Sequence, residues 1–432
     1  MVVEDSTEAV VVGAGHAGLS TSYYLQANDI EHVVLERAHI GDTWRSRRWD
    51  SFTLVTPNWM NRLPDFHYDG DDPDGFMLRA DVVDYLERFA ERSALPVRTG
   101  VTVGSVVRAP DGSGFLVHTD TGTIRSETVV VAVGSFQTPR IADWSRKLPE
   151  SLLQLGATEY RNAAALPEGA VLVVGSGQTG AQLAEELLAA GRRVYLSVGS
   201  AGRLPRTYRG RDSAWWLTRL DPWAEPQQPP RLHMSVDVLP TPAHRFGPNP
   251  HASGKDGGHT INLHRFAHDG MTLTGHVTGF EDGALRFAAD LHESLAKADQ
   301  FAAGYFAGID RYVAEHGWDI PPPDETNTDE YYGLDGFDQE PPLRLDPEEA
   351  GLSTVIWAGG FTHDFSWVEP APLDEFAYPV HTRGVTSVPG LYFAGLHFLT
   401  NASSDLFYGV AEDSAFVASH LTGALRDRAG AV

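Results

Sequence analysis

Two glycine-rich hexapeptides have the spacing of phosphate-binding turns. They read Gly13-Ala14-Gly15-His16-Ala17-Gly18 and Gly175-Ser176-Gly177-Gln178-Thr179-Gly180. In such a turn the first glycine makes the bend, the second lets the backbone approach a pyrophosphate, and the third lets a helix pack closely against a strand. Each hexapeptide therefore predicts a site for the diphosphate of a dinucleotide, and the chain has two of them.

The residues that follow each hexapeptide distinguish the two predicted sites. Glu36 lies about 20 residues after the first motif, where a carboxylate binds the free hydroxyls of an adenosine ribose. The second motif has no Asp or Glu at the matching position, and the chain continues to Arg203 and Arg206. Because arginine pairs with phosphate, we expect NADPH, which carries a 2′-phosphate, at the second site and FAD at the first. A solvated basic patch is the other interpretation of the two arginines.

Strand and helix patterns surround both motifs in the same order. The predicted elements are strand 8–12, helix 19–28 and strand 32–35 for the first motif, and strand 170–174, helix 181–190 and strand 193–197 for the second. Further strands are predicted at 128–133, 354–357 and 390–395, and further helices at 293–316 and 410–421. Strands that end at a glycine are typical of places where a backbone comes close to a cofactor or to another backbone.

This duplicated pattern predicts an α/β protein with two dinucleotide-binding, Rossmann-like domains. We expect an FAD-binding domain that is split in sequence, built from residues 1–140 and 345–432. The NADPH-binding domain, at residues 165–344, is expected to be inserted into it. Residues 224–258 are rich in Pro, Gly and His and predict a long loop, which either covers a site or forms a disordered linker.

Composition excludes several classes of function. The formal net charge of −25 disfavours nucleic-acid binding, because such a surface repels phosphate backbones. The chain has no Cys, which excludes disulfides, thiolate metal sites and every redox dithiol mechanism. No basic leader precedes the first strand and no run of 18 apolar residues occurs, so we expect a soluble cytoplasmic protein without a membrane span.

With these motifs established, the chain resembles the group B flavoprotein monooxygenases, the class of flavin-containing monooxygenases, Baeyer–Villiger monooxygenases and N-hydroxylases. Besides the two hexapeptides, the resemblance rests on Gly41-Asp42-Thr43-Trp44-Arg45, RWDSFTLVTPNWMNRLP at Arg48–Pro64, VAVGSFQTP at 131–139, IWAGGF at 356–361 and GLYFAGL at 390–396. It covers essentially the whole chain. Disulfide reductases share the two-dinucleotide architecture, but the absence of Cys excludes them.

The resemblance implies a reaction and a set of partners. NADPH reduces FAD, the reduced flavin forms a C4a-(hydro)peroxyflavin with O2, and a small organic substrate is oxygenated at N, S or a ketone. The partners would be that substrate and O2. The sequence leaves the oligomeric state open, with a homodimer as one option.

One departure from the family leaves a second function open. The family carries an aromatic-x-Gly-x-x-x-His-x-x-x-Tyr/Phe-Lys pattern between the glycine motifs, and aligning it on Tyr160-Arg161 puts Gly156 at the His position. That His is linked to domain connection and NADP handling, so its loss puts efficient coupling in doubt. The alternative is a non-oxygenating, FAD-dependent NADPH oxidase or reductase.

Candidate site residues follow from the motifs and the resemblance. Asn58 is the predicted catalytic residue, with its amide beside the flavin, and Asn61 competes for that role. Besides the hexapeptides, Glu36, Arg203 and Arg206, the predicted cofactor-binding residues are Arg37, Thr43, Trp44, Val103, Ala132, Gly134, Gly395, Leu396 and Leu406. Negative charge developing on the flavin is expected to meet the N-terminus of the C-terminal helix.

Several other polar and aromatic residues have ordinary structural interpretations. We expect Ser404 or Asp405 to cap the C-terminal helix, and Glu412 and Asp413 to lie on its solvated face. Seven histidines, His233, His244, His251, His259, His264, His268 and His276, lack a metal-binding spacing, so no metal site is predicted. Core packing is favoured over a substrate pocket for Trp215, Trp216, Trp223, Trp357 and Trp367.

Overall fold

Two parallel sheets carry the two glycine motifs. The computed structural model describes residues 3–225, 228–323 and 340–430. Within those residues each motif follows a buried strand and opens a helix, as the sequence predicts. The predicted α/β class with two Rossmann-like units is confirmed.

The first sheet is built from nine described strands. Its members are β1 (Val3–Val12), β2 (His32–Glu36), β5 (Val97–Thr99), β6 (Val103–Arg108), β7 (Phe115–Thr119), β8 (Gly122–Val131), β21 (His381–Thr382), β22 (Val385–Thr386) and β23 (Leu391–Phe393). The order is β21-β22-β23-β8-β1-β2-β5, and β6 and β7 form an antiparallel extension on β8. From β23 to β5 all neighbours are parallel, so their carboxyl ends meet at one edge.

The second sheet has five parallel strands among the described residues. They are β10 (Leu153–Gly156), β11 (Ala170–Val174), β12 (Val194–Ser197), β15 (Thr272–Thr274) and β19 (Leu352–Trp357), in the order β10-β19-β11-β12-β15. The remaining described strands pair as β3 (Arg62–Leu63) with β4 (Phe66–His67), β9 (Thr138–Pro139) with β20 (Phe361–Thr362), β13 (Thr207–Tyr208) with β14 (Arg211–Asp212), and β16 (Val277–Glu281) with β17 (Ala284–Phe287) and β18 (Arg344–Leu345).

The strand predicted at 354–357 lies in the second sheet, although the expected boundary at residue 345 assigned it to the first unit. In this position β19 pairs on one side with β10 and on the other with β11. An apolar run looks the same in either sheet, so its pattern alone could not decide between them. The strand β10 was not predicted. The division of the chain into two domains stays a prediction.

Eight α-helices and seven short 3₁₀ segments complete the described chain. The helices are α1 (His16–Ala27), α2 (Asp42–Ser46), α3 (Arg79–Arg92), α4 (Gln178–Ala189), α5 (Ser213–Leu217), α6 (Leu263–His268), α7 (Leu291–His316) and α8 (Val410–Gly430). The 3₁₀ segments are Asn58–Met60, Asp143–Lys147, Ala163–Ala165, Arg231–His233, Val236–Val238, Pro242–Phe246 and Lys255–Gly257. No helix in these ranges is long and apolar enough to cross a membrane.

The core of the first unit lies on both faces of β1. Val11 faces the cluster that contains Val417 and Leu421 of α8, whereas Val10 and Val12 face the cluster formed with β7, β8 and β23. A parallel strand covered on both sides must be apolar throughout, which explains the continuous Ala9–Val12 run. This packing fixes the glycine turn that begins directly after Val12.

Trp357 tests the assignment of β19 to the second sheet. It is 2% exposed, packs in the second unit's core and donates its indole N–H to Gln154 Oε1 at 3.2 Å. We expect Trp357→Ala to lower the free energy of unfolding by about 3–5 kcal/mol, since it opens a cavity. The half-exposed Trp367 of the first unit is the control, and Trp367→Ala should cost clearly less. Thermal unfolding of both variants checks this, and equal losses would contradict the assignment.

Candidate functional site

The first glycine turn brings backbone against backbone. Gly13 has φ +107°, and a Cβ there would lie 2.7 Å from the carbonyl oxygen of Ala132, at the end of the neighbouring strand. A Cβ on Gly18 would lie 1.9 Å from the oxygen of Gly13. A Cβ on Gly15, in contrast, would meet no atom within 4 Å, and α1 begins there without a side-chain cap. Open space and uncapped N–H groups are what a diphosphate needs.

The second turn repeats this geometry. A Cβ on Gly175 would lie 2.7 Å from the oxygen of Ala358, and one on Gly180 would lie 1.9 Å from the oxygen of Gly175. The space above Gly177 is open, and α4 begins there without a side-chain cap. The two turns are therefore equivalent cradles at the carboxyl edges of two different sheets.

Glu36 stands beside the first turn. Its two carboxylate oxygens accept hydrogen bonds from the backbone N–H groups of Ala14, at 2.9 Å, and Ala38, at 3.2 Å. These bonds hold the carboxylate at the end of β2 and leave lone pairs for further donors. The backbone oxygen of Glu36 accepts from Val101, which places Val103, two residues on, near this edge. Arg37 is exposed.

A cluster of three aromatic side chains connects α2 with the first turn. The Trp44 ring stacks on Phe407 with centroids 6.0 Å apart, and Phe407 lies 4.9 Å from the ring of His16. His16 also makes a hydrogen bond of 3.0 Å from Nε2 to the backbone oxygen of Asp405. Burial lowers the pKa of His16, which favours its neutral form. Thr43, in the same helix as Trp44, is exposed.

The ends of β8 and β23 complete this edge. Gly134, three residues after β8, has φ +74° and open space where a Cβ would be. Gly395 packs on α1 so closely that a Cβ would lie 2.3 Å from the Cβ of Ala17. Leu396 is buried and Leu406 is half-buried in the segment that leads to α8. The ends of β1, β8 and β23 thus lie at the same carboxyl edge of the first sheet.

The two arginines predicted for the second site lie in buried ion pairs. Arg203 pairs with Asp299 at 3.1 Å, and Arg206 pairs with Asp212 at 2.5 Å. The two arginine side chains are 3% and 6% exposed, so the interpretation as a solvated basic patch is wrong. Arg206 also donates to the oxygen of Val55 at 2.8 Å. A role of these guanidinium groups toward a 2′-phosphate stays a prediction.

Closer to the second turn, two polar side chains of the motif hold neighbouring loops. Ser176 Oγ accepts the backbone N–H of Gly199 at 2.9 Å, directly after β12. The amide of Gln178 donates to the oxygen of Ala252 at 2.8 Å and accepts its N–H at 3.2 Å. Thr179 is half-buried. The loop that contains Ala252 is thereby fixed at the N-terminus of α4.

Asn58 and Asn61 differ in their hydrogen bonding. The side-chain amide of Asn58 donates one N–H to the oxygen of Asp72 at 2.9 Å, and its enclosed Oδ1 has no hydrogen-bond partner in the described chain. Asn61 is 1% exposed, and neither its Oδ1 nor its Nδ2 has a hydrogen-bond partner in the described chain. An enclosed amide without partners is costly, and Asn61 has more unused bonding capacity than Asn58, because both of its polar atoms lack a partner.

Gly156 leaves no room for the family His. A Cβ at this position would lie 2.8 Å from the ring of Pro139, and the backbone N–H donates to Glu159 at 2.6 Å. Tyr160, which the chain retains, donates its hydroxyl to Glu186 on α4 at 2.8 Å, and Ser51 donates to the same carboxylate. Glu186 is therefore one of the residues that link the two units.

The Pro-, Gly- and His-rich loop contacts both units over its described part, residues 228–258. Val236 N–H donates to the oxygen of Thr400 at 2.9 Å, and a Cβ on Gly254 would lie 1.9 Å from the oxygen of Leu54. Together with the bonds of Ala252 to α4, these contacts make an ordered cover. The interpretation as a disordered linker is wrong for this part.

Two acidic residues near α8 are placed differently from the predictions. Asp405 does not cap α8, because its carboxylate pairs with His397 Nδ1 at 2.8 Å. Ser404 Oγ accepts the N–H groups of Thr400 and Asn401, so it closes the preceding turn instead. Asp413 is 2% exposed, and burial raises the pKa of its carboxyl, so its assignment to a solvated face is wrong. No pattern in the sequence indicates the pair of His397 and Asp405, because both residues lie in the irregular segment before α8.

The histidines and tryptophans named in the sequence analysis lie in different parts of the structure. No group of three or more His, Asp or Glu side chains in the described ranges is arranged to hold a metal ion. Four of the histidines pair with different carboxylates: His259 with Glu185, His264 with Asp299, His268 with Asp269, and His276 with Asp290. Trp216 and Trp357 are buried in cores, whereas Trp215 lines an open groove with Arg219 and Trp318.

Comparison with known proteins gives consistent results. The family described as pyridine nucleotide-disulphide oxidoreductase matches residues 10–227. An uncharacterized oxidoreductase, CzcO-like, of Geobacillus kaustophilus is 30% identical over 413 residues, covering 95% of this chain and 97% of the relative. The indole-3-pyruvate monooxygenase YUCCA1 of Oryza sativa subsp. japonica is 28% identical over 205 residues, 47% of this chain and 50% of that protein. The flavin-containing monooxygenase of Stenotrophomonas maltophilia shares the fold, with a TM-score of 0.63, 18% identity and coverage of 97% and 99%.

The contact of His259 with Glu185 predicts how loop docking depends on pH. The two side chains are 2.5 Å apart, and the hydrogen bond that His259 donates to Glu185 raises the pKa of His259 above its ordinary value. A raised pKa gives stability that is present below about pH 6.5 and is lost as the pH rises through the folded-state value. We expect His259→Gln to lower the melting temperature at pH 6 and to have little effect above pH 8.

Glu185→Gln should reproduce this dependence, because it removes the same charge pair from the other side. The melting temperatures of the wild type and both variants between pH 5.5 and 8.5 provide the measurement. A penalty that is constant or grows with pH would show that the pair does not contribute in this way.

Proposed function

Since the chain belongs to the pyridine nucleotide-disulphide oxidoreductase family, we propose that it is an FAD- and NADPH-dependent monooxygenase that oxygenates a small organic substrate with O2. The observation that carries the proposal is the pair of equivalent glycine cradles, each with open space above its middle glycine. The absence of Cys excludes a redox disulfide in the protein. Two of the similar proteins are monooxygenases by name: YUCCA1 of Oryza sativa, which is similar in sequence, and the Stenotrophomonas maltophilia enzyme, which is similar in fold.

The residues of the first cradle fit FAD. The uncapped N-terminus of α1 offers N–H groups to the diphosphate across the space above Gly15. Glu36, held by two backbone N–H groups, is positioned to accept the ribose hydroxyls. When bound, FAD accepts a hydride from NADPH and passes two electrons to O2. Thr43 and Trp44 would border the flavin end, on the side where Phe407 and His16 pack.

The second cradle fits NADPH by the same reasoning. It lacks an acidic residue at the end of β12, so nothing there repels a 2′-phosphate. Arg203 and Arg206 supply positive charge nearby, although each already pairs with a carboxylate. The cover formed by residues 228–258 restricts water between the units, which protects an oxygen-transfer reaction from hydrolysis and loss of reducing equivalents.

For the polar contact at the reacting end, we favour Asn61 over the predicted Asn58. Asn58 donates one N–H to Asp72 and only its Oδ1 lacks a partner, while both polar atoms of Asn61 lack partners in the described chain. An amide can both donate and accept, so Asn61 can orient a group that carries an oxygen or an N–H. A cytoplasmic location and a homodimer remain predictions from the sequence.

A second function, a non-oxygenating NADPH oxidase or reductase, is favoured by Gly156. Pro139 fills the place that the family His would need, so the chain lacks this contribution to NADP handling. An enzyme that does not retain its nicotinamide nucleotide reduces flavin but releases H2O2. The two functions share both cofactor sites and differ in the fate of oxygen.

Valine substitutions at the two open glycines should separate the cofactors. We expect Gly15→Val to yield folded but colourless protein, because the new side chain occupies the diphosphate space. Gly177→Val should stay yellow and be reduced by dithionite, but not by NADPH. Gly279→Val is the matched control, since a Cβ there also meets nothing within 4 Å but Gly279 lies in β16, outside both turns. Absorbance spectra and anaerobic reduction check this, and a yellow Gly15→Val variant would contradict the first site.

The fate of oxygen decides between the two functions. We expect purified enzyme to oxidise NADPH and, with at least one compound from a panel of amines, sulfides and ketones, to form oxygenated product while the H2O2 yield per NADPH falls. Parallel assays of NADPH, H2O2 and product measure this. One H2O2 per NADPH with every compound would establish the oxidase, and no NADPH oxidation by yellow protein would overturn both functions.

A further inference from the structure

A buried His–Asp pair stands at the carboxyl edge of the first sheet. His397 Nδ1 and Asp405 Oδ2 are 2.8 Å apart, and their side chains are only 10% and 7% exposed. No residue of the two glycine motifs makes an ion pair of this kind in the described chain. A buried pair is costly to assemble from water, so its presence beside a cofactor cradle calls for a reason beyond stability.

The protein fixes the backbone of His397 from two directions. The His397 N–H donates to Ser135 Oγ at 2.8 Å, directly after Gly134, and Tyr378 donates its hydroxyl to the His397 oxygen at 2.7 Å. Phe398, the next residue, has φ +53°, which is unusual for a phenylalanine. A strained conformation that is held by several hydrogen bonds is typical of functional sites.

The pair is connected to the first glycine turn. The backbone oxygen of Asp405 bonds to His16 Nε2 at 3.0 Å, and Gly395, two residues before His397, packs directly on Ala17 of α1. Asp405 therefore contacts the hexapeptide that forms the first cradle. Residues predicted to bind cofactor lie on both sides of the pair, with Leu396 next to His397 and Leu406 next to Asp405.

The imidazole has one nitrogen left to act. Nδ1 is taken by Asp405, whereas Nε2 has no hydrogen-bond partner in the described residues and is not among the fully enclosed polar atoms. A carboxylate that orients one ring nitrogen and leaves the other accessible is a common arrangement for proton transfer. Oδ1 of Asp405 is enclosed and has no hydrogen-bond partner in the same ranges. The hydrogen bond of Oδ2 with His397 is therefore the one that stabilises the carboxylate charge there.

The charges around the pair favour an imidazolium. Burial lowers the pKa of His397, but the charge and hydrogen bond of Asp405 outweigh it, and the net pKa is raised. His16 and His363 have pKa values lowered by burial, so they stay neutral near pH 7. Arg245, over the Tyr378 ring, opposes the charge on His397 without reversing the shift, and burial raises the pKa of Tyr378 above its ordinary value, which keeps its hydroxyl protonated.

From this geometry we infer that His397, oriented by Asp405, is the proton donor of the oxygen reaction at the first site. The inference rests on the proposed function, in which NADPH, H⁺, O2 and substrate become NADP⁺, H2O and oxygenated substrate. That balance consumes one proton. His397 supplies it from Nε2 and regains it from solvent, while Asp405 remains ionised throughout. No other oxidant or reductant is required.

The test compares His397→Gln and Asp405→Asn with the wild-type holoenzyme. Each protein is reduced anaerobically with NADPH, mixed with oxygenated buffer, and followed by flavin absorbance between pH 5.5 and 9. In the wild type the rate should fall as the pH rises through the raised pKa of His397. His397→Gln should be about 10- to 100-fold slower at pH 6 and independent of pH, in the lower range of general acid effects. Asp405→Asn should move the fall to lower pH.

A matched control and a direct titration separate proton donation from structure. His381 is a half-buried histidine beside Tyr378, and His381→Gln should keep the wild-type pH profile. NMR of ¹⁵N-histidine-labelled oxidised protein should show the His397 signal titrating above pH 6.5 in the wild type and lower in Asp405→Asn. Added imidazole should restore part of the rate in His397→Ala, which a purely structural defect would not allow.

The outcomes distinguish a failure of the proposed function from a failure of the proton-donor role alone. If yellow wild-type protein does not oxidise NADPH, the proposed function fails. If it does, but His397→Gln retains the wild-type rate and pH dependence, the proton-donor role alone is overturned. A His397 signal that titrates below pH 6.5 in the wild type would also overturn it, whatever the kinetics show.

Discussion

The fold depends on two close contacts between backbone and backbone, at Gly13 and at Gly175, that leave no room for a side chain. At two places the backbone after a central strand turns so tightly that a Cβ would lie 2.7 Å from the carbonyl oxygen ending the neighbouring strand. Only glycine satisfies that approach, and only with it can the following helix begin at the carboxyl edge of its sheet. Both cofactor cradles, the uncapped N-termini of α1 and α4, and the open space above Gly15 and Gly177 depend on this contact.

The two cradles differ in the residues that surround them. The first edge gathers titratable and aromatic groups, among them Glu36, His16, Trp44 and the His397–Asp405 pair. The second edge is held by the neutral side chains of Ser176 and Gln178, which bind backbone groups of adjoining loops. This contrast agrees with chemistry concentrated at the first site and with binding, release and loop docking at the second.

The sequence predicted where individual strands and helices lie, but it did not predict which distant strands and side chains pair with one another. The strand Ala170–Val174 and the start of α8 at Val410 match the sequence pattern to the residue, because period and glycine punctuation are encoded within a few positions. The sheet membership of β19 was not encoded in this way, because strand order depends on which buried surfaces fit. Arg203 shows the same limit, since its acidic partner lies 96 residues away along the chain.

Buried polar groups were the hardest to predict. Asp405 and Asp413 stand beside a helix start, where acids ordinarily face water, yet both are enclosed by the segment before α8. Their partners, including His397, are set by how the irregular residues 394–409 fold over the first turn. A sequence indicates such residues as polar but does not indicate the neighbours that will surround them.

The pairing of β9 with β20 has an architectural consequence. In the predicted two-domain division, the chain leaves the first unit through Thr138–Pro139 and returns through Phe361–Thr362, and these two short strands pair antiparallel to each other. In that predicted division, the entry and exit of the second unit lie side by side, as in a domain inserted into one surface loop of another domain. Such a domain can be lengthened, exchanged or removed in evolution without changing the topology of the first unit, because the first unit is constrained only by the positions of the two adjacent chain ends.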